Sequence, residues 1–506
     1  MPDYFIGIDS GSQSTKAIVV DARNGRVVGA GAKAYGFIPR LPPGHKEQHP
    51  KVWINAVITS VRAALRAAKV HAPDVCGMGV SGQQHGFVPL DGAGNVIRPA
   101  KLWCDTSTAL QCDEIISKLG GLGRVIELIG NGVPPGYTAS KILWLKQNEP
   151  SNYAKLATVL LPHDYINFWL TGAKTMEYGD ASGTALMDVR TRQWSDAVIG
   201  AIDPELKSKL PAIQPSDRPA GKLRGEAARA LGLGQDVLVS AGGGDNMMGA
   251  IGTGNTRHGI VTASLGTSGT IYACSDKPIV DPDGEVAAFC DSTGKWLPLL
   301  CTMNVTVATE MVRKDFGWSF AKMDAEIRKT PVGAGGLVLL PYFEGERTPN
   351  VPDGTGVFFG VNERTFSAGP FARAAMEGAT LGMNYGLNRL RALGIAPTQI
   401  RATGGGSNSA VWRQIMADVF NVEVVCTQTA EGAAYGSALQ AMWCSARQSG
   451  SKVEIWEITE EFVKLDRKSI TKPKPANVEE YQKLQALQDR LGRDLRGAFA
   501  EHRVLM

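Results

Sequence analysis

Two stretches of the chain show the same order of apolar and polar positions. In "YFIGIDSGSQSTKAIVVD" (residues 4–21), two apolar runs flank a short Gly/Ser loop, and "IVTASLGTSGTIYAC" (residues 260–274) repeats this plan. Apolar runs rich in β-branched residues and joined by a glycine-containing loop predict β-hairpins. Their loops lie about half a chain apart. This spacing favours two domains built on one plan, with chance similarity as the alternative.

A third stretch combines two apolar runs with a helical pattern. In "IRATGGGSNSAVWRQIMADVFNVEVV" (residues 400–425), apolar residues open and close the segment, and three glycines follow the first run. Between them, Val411, Ile415 and Val419 recur every fourth residue and therefore share one face of a helix. The pattern predicts a strand, a glycine-rich loop, a helix and a second strand. Such units often receive a nucleotide at the loop, although glycines also allow ordinary close packing.

The length of the chain predicts more than one domain. It has 506 residues, and single hydrophobic cores stop growing at about 250–300 residues. We therefore predict two domains, residues 1–252 and 253–506. Leucines at helical spacing after residue 476 predict that the second domain ends in an amphipathic helix.

Composition and charge narrow the functional classes. The net charge is only +4 and no long Lys/Arg block occurs, so we expect no nucleic-acid partner. No run approaches the roughly 18 apolar residues of a membrane span, and the N-terminal segment lacks the apolar core of a signal peptide. Eight cysteines without a C-x-x-C pair suit reduced thiols. We expect a cytoplasmic enzyme without membrane contact. The P-loop, zinc-protease and α/β-hydrolase signatures are absent from the sequence, and no G-x-G-x-x-G opens a helix after a predicted strand.

The glycine-containing hairpin loops predict anion binding. Glycine lets backbone N–H groups approach a ligand closely, and neighbouring Ser and Thr hydroxyls add donors. Two such loops, one in each domain, would suit a polyphosphate. An ordinary tight hairpin is the alternative for either loop alone.

A single carboxylate, Asp245, stands out in "VSAGGGDNMMGAIGTG" (residues 239–254), where it follows three glycines. A carboxylate within hydrogen-bond reach can orient a sugar hydroxyl and accept its proton during phosphoryl transfer. The glycines would keep side chains away from the approaching substrate. An Asp-Asn pair after glycines is also ordinary turn and helix-capping chemistry.

Six segments, taken in order, resemble the FGGY family of carbohydrate kinases. They are "FIGIDSGSQSTK", "VSGQQHGFVPLD", "LWCDTST", "GGGDN", "SLGTSG" and "GGGSNSAVWRQIMAD". The resemblance covers nearly the whole chain. It implies an α/β fold of two actin-like, ribonuclease-H-like domains with an ATP and sugar cleft between them.

The resemblance also implies roles for individual residues. Asp245 would be the general base, and Asp9 would hold Mg²⁺, directly or through water. The remaining candidates are, for the sugar, Gln84, His85, Trp103, Asp105 and Asn246; for the phosphates, Gly11, Ser12, Gln13, Ser14, Gly266 and Thr267; and for adenosine, Gly405, Gly406 and Asn408. Structural alternatives stay open for several of them: Asp9 as a turn residue, His85 as a satisfied buried histidine and Trp103 as a core residue.

Within the family, "LPHDYINFWLTG" (residues 161–172) and "DASGTALMDVRTRQWS" (residues 180–195) resemble the xylulose-phosphorylating members. This implies transfer of the γ-phosphate of MgATP to O5 of D-xylulose, with ATP and Mg²⁺ as cofactors and a homodimer as an open alternative to a monomer. The chain departs from the family at Gln84, where many relatives have Met, and at "CDTST", where others have Asn-Asp-Gly-Arg. A kinase for another ketopentose, a pentitol or glycerol therefore remains an alternative. An actin-like ATPase or an inactive sugar-binding relative is a second one.

Overall fold

A computed structural model describes residues 3–505 and separates the chain into two compact units. The first unit consists of Met1–Arg257, Cys274–Leu297 and Glu431–Val463; the second consists of His258–Ala273, Pro298–Ala430 and Lys464–Met506. Both units combine helices with a mixed sheet, which confirms the predicted fold class of two α/β domains. The single domain boundary at residue 252 stays a prediction. Two segments that follow it, Cys274–Leu297 and Glu431–Val463, belong to the first unit. Among the described residues, no helix has both the length and the apolarity needed to cross a bilayer.

The strands are β1 Tyr4–Ser10, β2 Ser14–Asp21, β3 Arg26–Ala34, β4 Glu47–Gln48, β5 Val75–Gly82, β6 Val88–Leu90, β7 Ala100–Lys101, β8 Thr158–Leu160, β9 Thr175–Glu177, β10 Met187–Asp188, β11 Gln193–Trp194, β12 Ala212–Gln214, β13 Gly221–Lys222, β14 Leu238–Val239, β15 Gly243–Gly244, β16 Ile260–Leu265, β17 Gly269–Ala273, β18 Ala287–Cys290, β19 Trp296–Thr302, β20 Val338–Pro341, β21 Gly356–Phe359, β22 Gln399–Thr403 and β23 Glu423–Cys426.

The α-helices are α1 Lys51–Ala68, α2 Ala109–Lys118, α3 Leu122–Ile129, α4 Thr138–Asn148, α5 Pro150–Tyr153, α6 Pro162–Thr171, α7 Tyr178–Ser182, α8 Asp196–Ile202, α9 Gly225–Leu231, α10 Asp245–Gly252, α11 Thr306–Asp315, α12 Phe320–Lys329, α13 Ala368–Ala392, α14 Ala410–Phe420, α15 Gly432–Gln448, α16 Ile455–Phe462, α17 Pro475–Asp494 and α18 Arg496–Arg503. Short 3₁₀ helices cover Ala72–Asp74, Pro204–Lys209, Val332–Gly336, Gly405–Asn408 and Arg467–Ser469.

The main sheet of the first unit has the order β13-β14-β5-β1-β2-β3, and β15 also pairs with β5. Strands β1 and β2 form the predicted antiparallel hairpin, while β5 lies parallel to β1. Successive side chains of a strand point to opposite faces, so β1 is buried on both sides. Ile6 and Ile8 join the core cluster that contains residues of α1, and Phe5 joins the cluster that contains residues of α15.

Helix α15 approaches this sheet closely because glycines face it. A Cβ atom on Gly7 would lie 1.8 Å from the carbonyl oxygen of Ala434, and one on Gly79 would lie 2.1 Å from that of Ser437. Any side chain at either strand position would push the helix away. The backbone of α15 therefore packs directly against β1 and β5, the two strands that end at the candidate site.

The sheet of the second unit runs in the order β19-β17-β16-β22-β23. Strands β16 and β17 form the second predicted hairpin, with Leu265 opposite Gly269, and β22 lies parallel to both β16 and β23. The segment from β22 through α14 to β23 confirms the predicted strand, loop, helix and strand. Val411, Ile415 and Val419 are all buried on α14, as their spacing requires.

The C-terminal segment forms two helices rather than one, since α17 and α18 are separated at Leu495. Leu491 and Phe499 are buried in a cluster with Leu340 and Tyr342 of the second unit. The predicted amphipathic pattern thus covers part of that unit's core.

Candidate active site

Two side chains fix the loop between β1 and β2 by donating hydrogen bonds to its carbonyl groups. The hydroxyl of Tyr35 donates to the carbonyl of Gly11 at 2.6 Å, and Nε2 of Gln48 donates to the carbonyl of Ser12 at 2.7 Å. The amide of Gly11 donates to the carbonyl of Ser14 at 3.0 Å, which closes the turn. A Cβ atom on Gly11 would meet only ordinary contacts, so packing within the unit does not require glycine there. A glycine that internal packing does not require leaves its backbone open to close approach by a ligand.

The structure brings Ser12 and Trp103 together. The indole Nε1 of Trp103 donates to Ser12 Oγ at 2.8 Å, and Ser12 Oγ donates to Gln83 Oε1 at 3.1 Å. Gln83 in turn donates to Gln48 Oε1 at 3.1 Å. The predicted sugar segment and the predicted phosphate loop therefore share one hydrogen-bond chain. Gln48 and Gln83 were missed by the sequence analysis, because amides without a distinctive motif give no signal.

Asp9 is the last but one residue of β1 and is partly buried. Ser81, its neighbour on β5, donates to Asp9 Oδ1 at 2.9 Å. Burial raises the pKa of Asp9, while the bond from Ser81 and the charge of Lys16 act in the opposite direction. Lys16 itself forms an ion pair with Glu431 at 2.9 Å.

Asp245 is the first residue of α10, and Gly244 precedes it in an extended conformation. The backbone amide of Asn246 donates to Asp245 Oδ1 at 2.8 Å, and Asn246 Nδ2 donates to the same oxygen at 3.1 Å. Burial, followed by the charges of Asp9 and Asp180, raises the pKa of Asp245 to about 7. A carboxylate with such a pKa is matched to accepting a proton near neutral pH.

The glycines before Asp245 have a packing role that the sequence analysis did not anticipate. A Cβ atom on Gly243 would lie 2.4 Å from Ser292 Oγ, and one on Gly244 would lie 2.6 Å from Gln84 Cγ. Gly242 has φ +72 and its Cβ atom would lie 2.5 Å from the carbonyl of Val80. Contacts within the protein therefore account for these glycines, independently of any substrate.

His85 follows β5 in a left-handed conformation, with φ 62. Its ring lies 4.4 Å from that of Tyr137 and 5.6 Å from that of Phe289, measured between centroids. The carbonyl of His85 accepts hydrogen bonds from Thr138 Oγ1 at 3.1 Å and from Lys141 Nζ at 3.2 Å. The backbone at this strand end is thus fixed from α4.

The carboxylate of Asp105 is held by hydrogen bonds from within the protein. The residue is fully buried. Its Oδ2 accepts from the backbone of Lys46 at 2.9 Å and from Lys101 Nζ at 3.1 Å, and its Oδ1 accepts from the backbone and hydroxyl of Ser107. Burial alone would raise the pKa of Asp105, but the bonds from Ser107 and Lys46 and the charge of Lys101 lower it. Its role as a sugar ligand stays a prediction, and a sugar hydroxyl would compete with these donors because all four acceptor positions of the carboxylate are used within the protein.

In the second unit, the two predicted nucleotide loops lie side by side. A Cβ atom on Gly404 would lie 2.6 Å from the carbonyl of Leu265, and one on Gly406 would lie 2.9 Å from Leu265 Cβ. Leu265 immediately precedes the loop of Gly266 and Thr267, in which the carbonyls of both residues accept from the start of α11.

Several of the predicted nucleotide ligands in this unit are accessible. Thr267, Gly405 and Asn408 are exposed, and a Cβ atom on Gly405 would meet no atom within 4 Å. The glycine at 405 therefore leaves open space beside the hairpin loop, as a bound ligand requires.

A buried cluster of ionisable groups also escaped the sequence analysis. His163 and Glu177 lie beside the glycines that precede Asp245, and Asp164 and Asp180 flank the ring of His163. Each of the four is nearly or fully buried. In the sequence, the available signal was the presence of His163 and Asp164 within the largely apolar segment at residues 161–172. His163, Asp164 and Asp180 offer ligand atoms within 4.8 Å of one another, whereas Asp9 belongs to no such group among the described residues.

Comparison with known proteins gives an independent assignment of the family. The N-terminal domain model of the FGGY family of carbohydrate kinases matches residues 4–252, and its C-terminal domain model matches residues 261–445. The chain is 42% identical over 485 residues to a xylulose kinase of Haemophilus influenzae, covering 94% of this chain and 97% of that protein. A xylulose kinase of Bacillus subtilis is 34% identical over 488 residues, with 95% of each chain covered.

Solved structures show the same similarity. The crystal structure of xylulose kinase from Rhodospirillum rubrum superimposes with a TM-score of 0.88 at 28% identity, covering 98% of this chain and 100% of that one. Two domain models that together match most of the sequence, and relatives that cover nearly all of it, establish the family. The chain belongs to the FGGY family of carbohydrate kinases.

Proposed function

We propose that this carbohydrate kinase transfers the γ-phosphate of ATP to O5 of D-xylulose, with Asp245 as the general base. The observation that carries the proposal is the state of Asp245: one oxygen is fixed by Asn246, and burial raises the pKa of the carboxyl to about 7. The substrate class is supported by relatives named xylulose kinase at 42% and 34% identity.

In this proposal, Asp245 uses its second oxygen, Oδ2, to accept the proton of the sugar hydroxyl. Oδ2 receives no hydrogen bond from another described residue, whereas Oδ1 is held by Asn246. The proton leaves the hydroxyl as its oxygen forms the bond to phosphorus and ADP departs. Since phosphoryl transfer needs little covalent chemistry from the protein, orientation of the hydroxyl is the main contribution of this residue.

The remaining predicted ligands bind and orient the substrates. His85, with its ring against Tyr137, contacts the sugar, and Trp103 provides a flat apolar wall beside Ser12. The backbone of Gly11 to Ser14 binds phosphate in the first unit. In the second unit, Gly266 and Thr267 bind phosphate, and Gly405, Gly406 and Asn408 bind adenosine.

The site fits Mg²⁺ through Asp9. This cation takes one or two carboxylates, several waters and the oxygens of substrate phosphates, and Asp9 is a partly exposed carboxylate next to the phosphate loop. When bound, Mg²⁺ neutralises charge on the β- and γ-phosphates. Asp9 keeps the orientation for this role because Ser81 holds its Oδ1.

The proposal is tested by measuring ADP release with MgATP against D-xylulose, L-xylulose, D-ribulose, xylitol and glycerol. Strong turnover with D-xylulose alone is the expected result. Preference for another polyol would change the proposed substrate but not the proposed phosphoryl transfer reaction. ATP turnover that no sugar increases would contradict the proposal and favour an ATPase whose motion serves a partner.

A further inference from the structure

Hydrogen bonds through Asn246 join the side chain of Gln84 to Asp245, the proposed base. Asn246 Nδ2 donates to Gln84 Oε1 at 2.9 Å and to Asp245 Oδ1 at 3.1 Å. Gln84 Nε2 lies 3.2 Å from the sulfur of Met247. Gln84 is buried, and its side chain fills the space that a Cβ atom on Gly244 would need.

The chemistry of these groups fixes the orientation of both amides. An ionised carboxylate only accepts hydrogen bonds, so Asn246 must turn its Nδ2 group towards Asp245. The second hydrogen of Nδ2 then requires an acceptor, which is the carbonyl oxygen of Gln84. The amide nitrogen of Gln84 consequently faces the sulfur of Met247, a weak acceptor. The charge on Asp245 thus sets the orientation of the Asn246 amide, and the Asn246 amide in turn sets the orientation of the Gln84 amide.

We propose that Gln84 is a positioning residue that holds the Asp245 carboxylate, through Asn246, with its Oδ1 inward and its Oδ2 towards the substrate. This inference rests on the proposed role of Asp245. It changes the role of Gln84 from a sugar ligand to a support of the base. Both hydrogens of Asn246 Nδ2 are engaged in the same chain, so this nitrogen does not donate to a sugar in the structure described.

A methionine at position 84 would keep the volume of the side chain but remove the acceptor. Asn246 would then lose the partner that fixes its second hydrogen, and its amide could rotate away from Asp245. Small errors in the orientation of a base reduce the rate of the chemical step more than the binding of substrate. We therefore expect Gln84→Met to lower kcat by roughly tenfold, with KM for the sugar within about twofold of the wild-type value.

A double-mutant cycle tests the proposal. Kcat and KM are measured for the wild type, Gln84→Met, Asn246→Ala and the double variant, using the polyol that the wild type phosphorylates best. If Gln84 acts through Asn246, the double variant has the kcat of Asn246→Ala, since the chain is already broken. Additive losses in kcat, or a raised KM in Gln84→Met, would overturn the proposal in favour of direct contact with the sugar.

Gln111→Met is the matched control. Gln111 is a buried glutamine of the first unit, and its Nε2 donates to Gln147 at 2.8 Å, not to a residue of the site. Kcat of this variant should equal that of the wild type. If Gln84→Met does not fold by circular dichroism, Gln84→Leu replaces it in the cycle.

The crystal structure of Gln84→Met gives a readout that does not depend on activity. The proposal expects the Asn246 amide to turn and its bond to Asp245 Oδ1 to be lost. Retention of that bond with unchanged geometry would overturn it. A wild-type protein that phosphorylates no polyol would count against the proposed function, while the crystal structure would still decide the role of Gln84.

Discussion

Nδ1 of His163 lies 2.5 Å from Oδ2 of Asp180, and both side chains are fully buried. On the other side of the ring, Nε2 lies 3.1 Å from Oδ1 of Asp164. Burial alone would lower the pKa of His163, but the charges of Asp164 and Asp180 raise it to about 9. The ring is therefore held as an imidazolium by Asp180 and Asp164, beside the glycines that lead to Asp245, while burial also raises the pKa of Asp164.

This arrangement predicts that stability falls as pH rises. The pKa of His163 is about 9 in the folded protein against an ordinary value of 6.5, so its contribution is complete below about pH 6.5 and is lost towards pH 9. Burial raises the pKa of Glu177 to about 7, which adds a loss of stability as this carboxyl ionises between about pH 4.5 and 7. The pKa of Asp164, which faces the His163 ring, is raised by burial as well. All three groups bind more protons in the folded state, so their effects have the same sign.

Urea unfolding of the wild type and of His163→Gln between about pH 5.5 and 9 checks this prediction. The wild type should lose stability throughout this range. The variant should lack the part of this loss that His163 contributes between about pH 6.5 and 9. His71→Gln serves as a control, because His71 is exposed. A flat or rising wild-type curve above pH 6.5 would show that the His163 ring is not held charged.

A second prediction concerns the base. Burial and the charge of Asp9 raise the pKa of Asp245 to about 7, so kcat/KM for the sugar should rise with pH through about 7 and level off above it. Asp245→Asn should lower kcat by about 10²–10⁴-fold, the usual contribution of a general base.

The control for this variant is Asp196→Asn. Asp196 also occupies the first position of a helix, α8, but its side chain is exposed and pairs with Lys207. It should leave kcat unchanged, which separates catalysis from an effect of the helix terminus. Full activity of Asp245→Asn would remove this residue from the mechanism.

Local patterns of the sequence predicted the elements that carry the site. The hairpin of β1 and β2, the hairpin of β16 and β17 and the helix α14 all formed where alternating or four-residue spacing indicated them. Such patterns are sufficient because burial of one face decides the local conformation. They could not indicate that residues 431–463 pack with the first unit, because that depends on contacts between distant segments.

The candidate ligands were harder to predict individually. Asp105 lies in a segment that resembles a sugar site, yet Lys101 and Ser107 occupy its carboxylate. Conversely, Tyr35 and Gln48 hold the phosphate loop although neither belongs to a motif. A sequence shows which groups can bind, but the other groups that compete for the same hydrogen bonds become visible only in three dimensions.

A third prediction concerns Lys141, a fully buried lysine on α4. Its Nζ donates to the carbonyls of His85, Gly136 and Tyr137, and burial lowers the pKa of this amine to about 7. Lys141→Met removes a donor from all three carbonyls, although Thr138 still donates to that of His85, so we expect a loss of about 1–3 kcal/mol in the free energy of unfolding. Because the His85 carbonyl loses the hydrogen bond from Lys141 that helps to fix its backbone, KM for the sugar should rise as well.

Urea unfolding and steady-state kinetics measure the two effects of Lys141→Met. Lys146→Met is the matched control, since Lys146 lies on the same helix but is partly exposed and pairs with Asp203. It should change stability by less than about 1 kcal/mol and leave KM unchanged. Equal effects of the two variants would mean that the buried ammonium does not hold the His85 backbone.

The last prediction tests the contact between α10, which begins with Asp245, and α15. A Cβ atom on Gly436 would lie 1.8 Å from the carbonyl oxygen of Met248, a backbone atom that can move only if α10 moves. Gly436→Ala should therefore destabilise the protein by about 3 kcal/mol, as overpacking of a close helix contact does, and should lower kcat because Asp245 shifts with its helix.

Gly432→Ala provides the comparison on the same helix. There the added Cβ atom would approach nothing closer than Thr253 Cγ2 at 3.9 Å, an ordinary contact. Alanine also has a higher helix propensity than glycine, so this variant should be at least as stable as the wild type. Urea unfolding and kcat of the two variants are measured side by side. If Gly436→Ala were as stable and as active as Gly432→Ala, the direct backbone contact of α15 with α10 would not be what places Asp245.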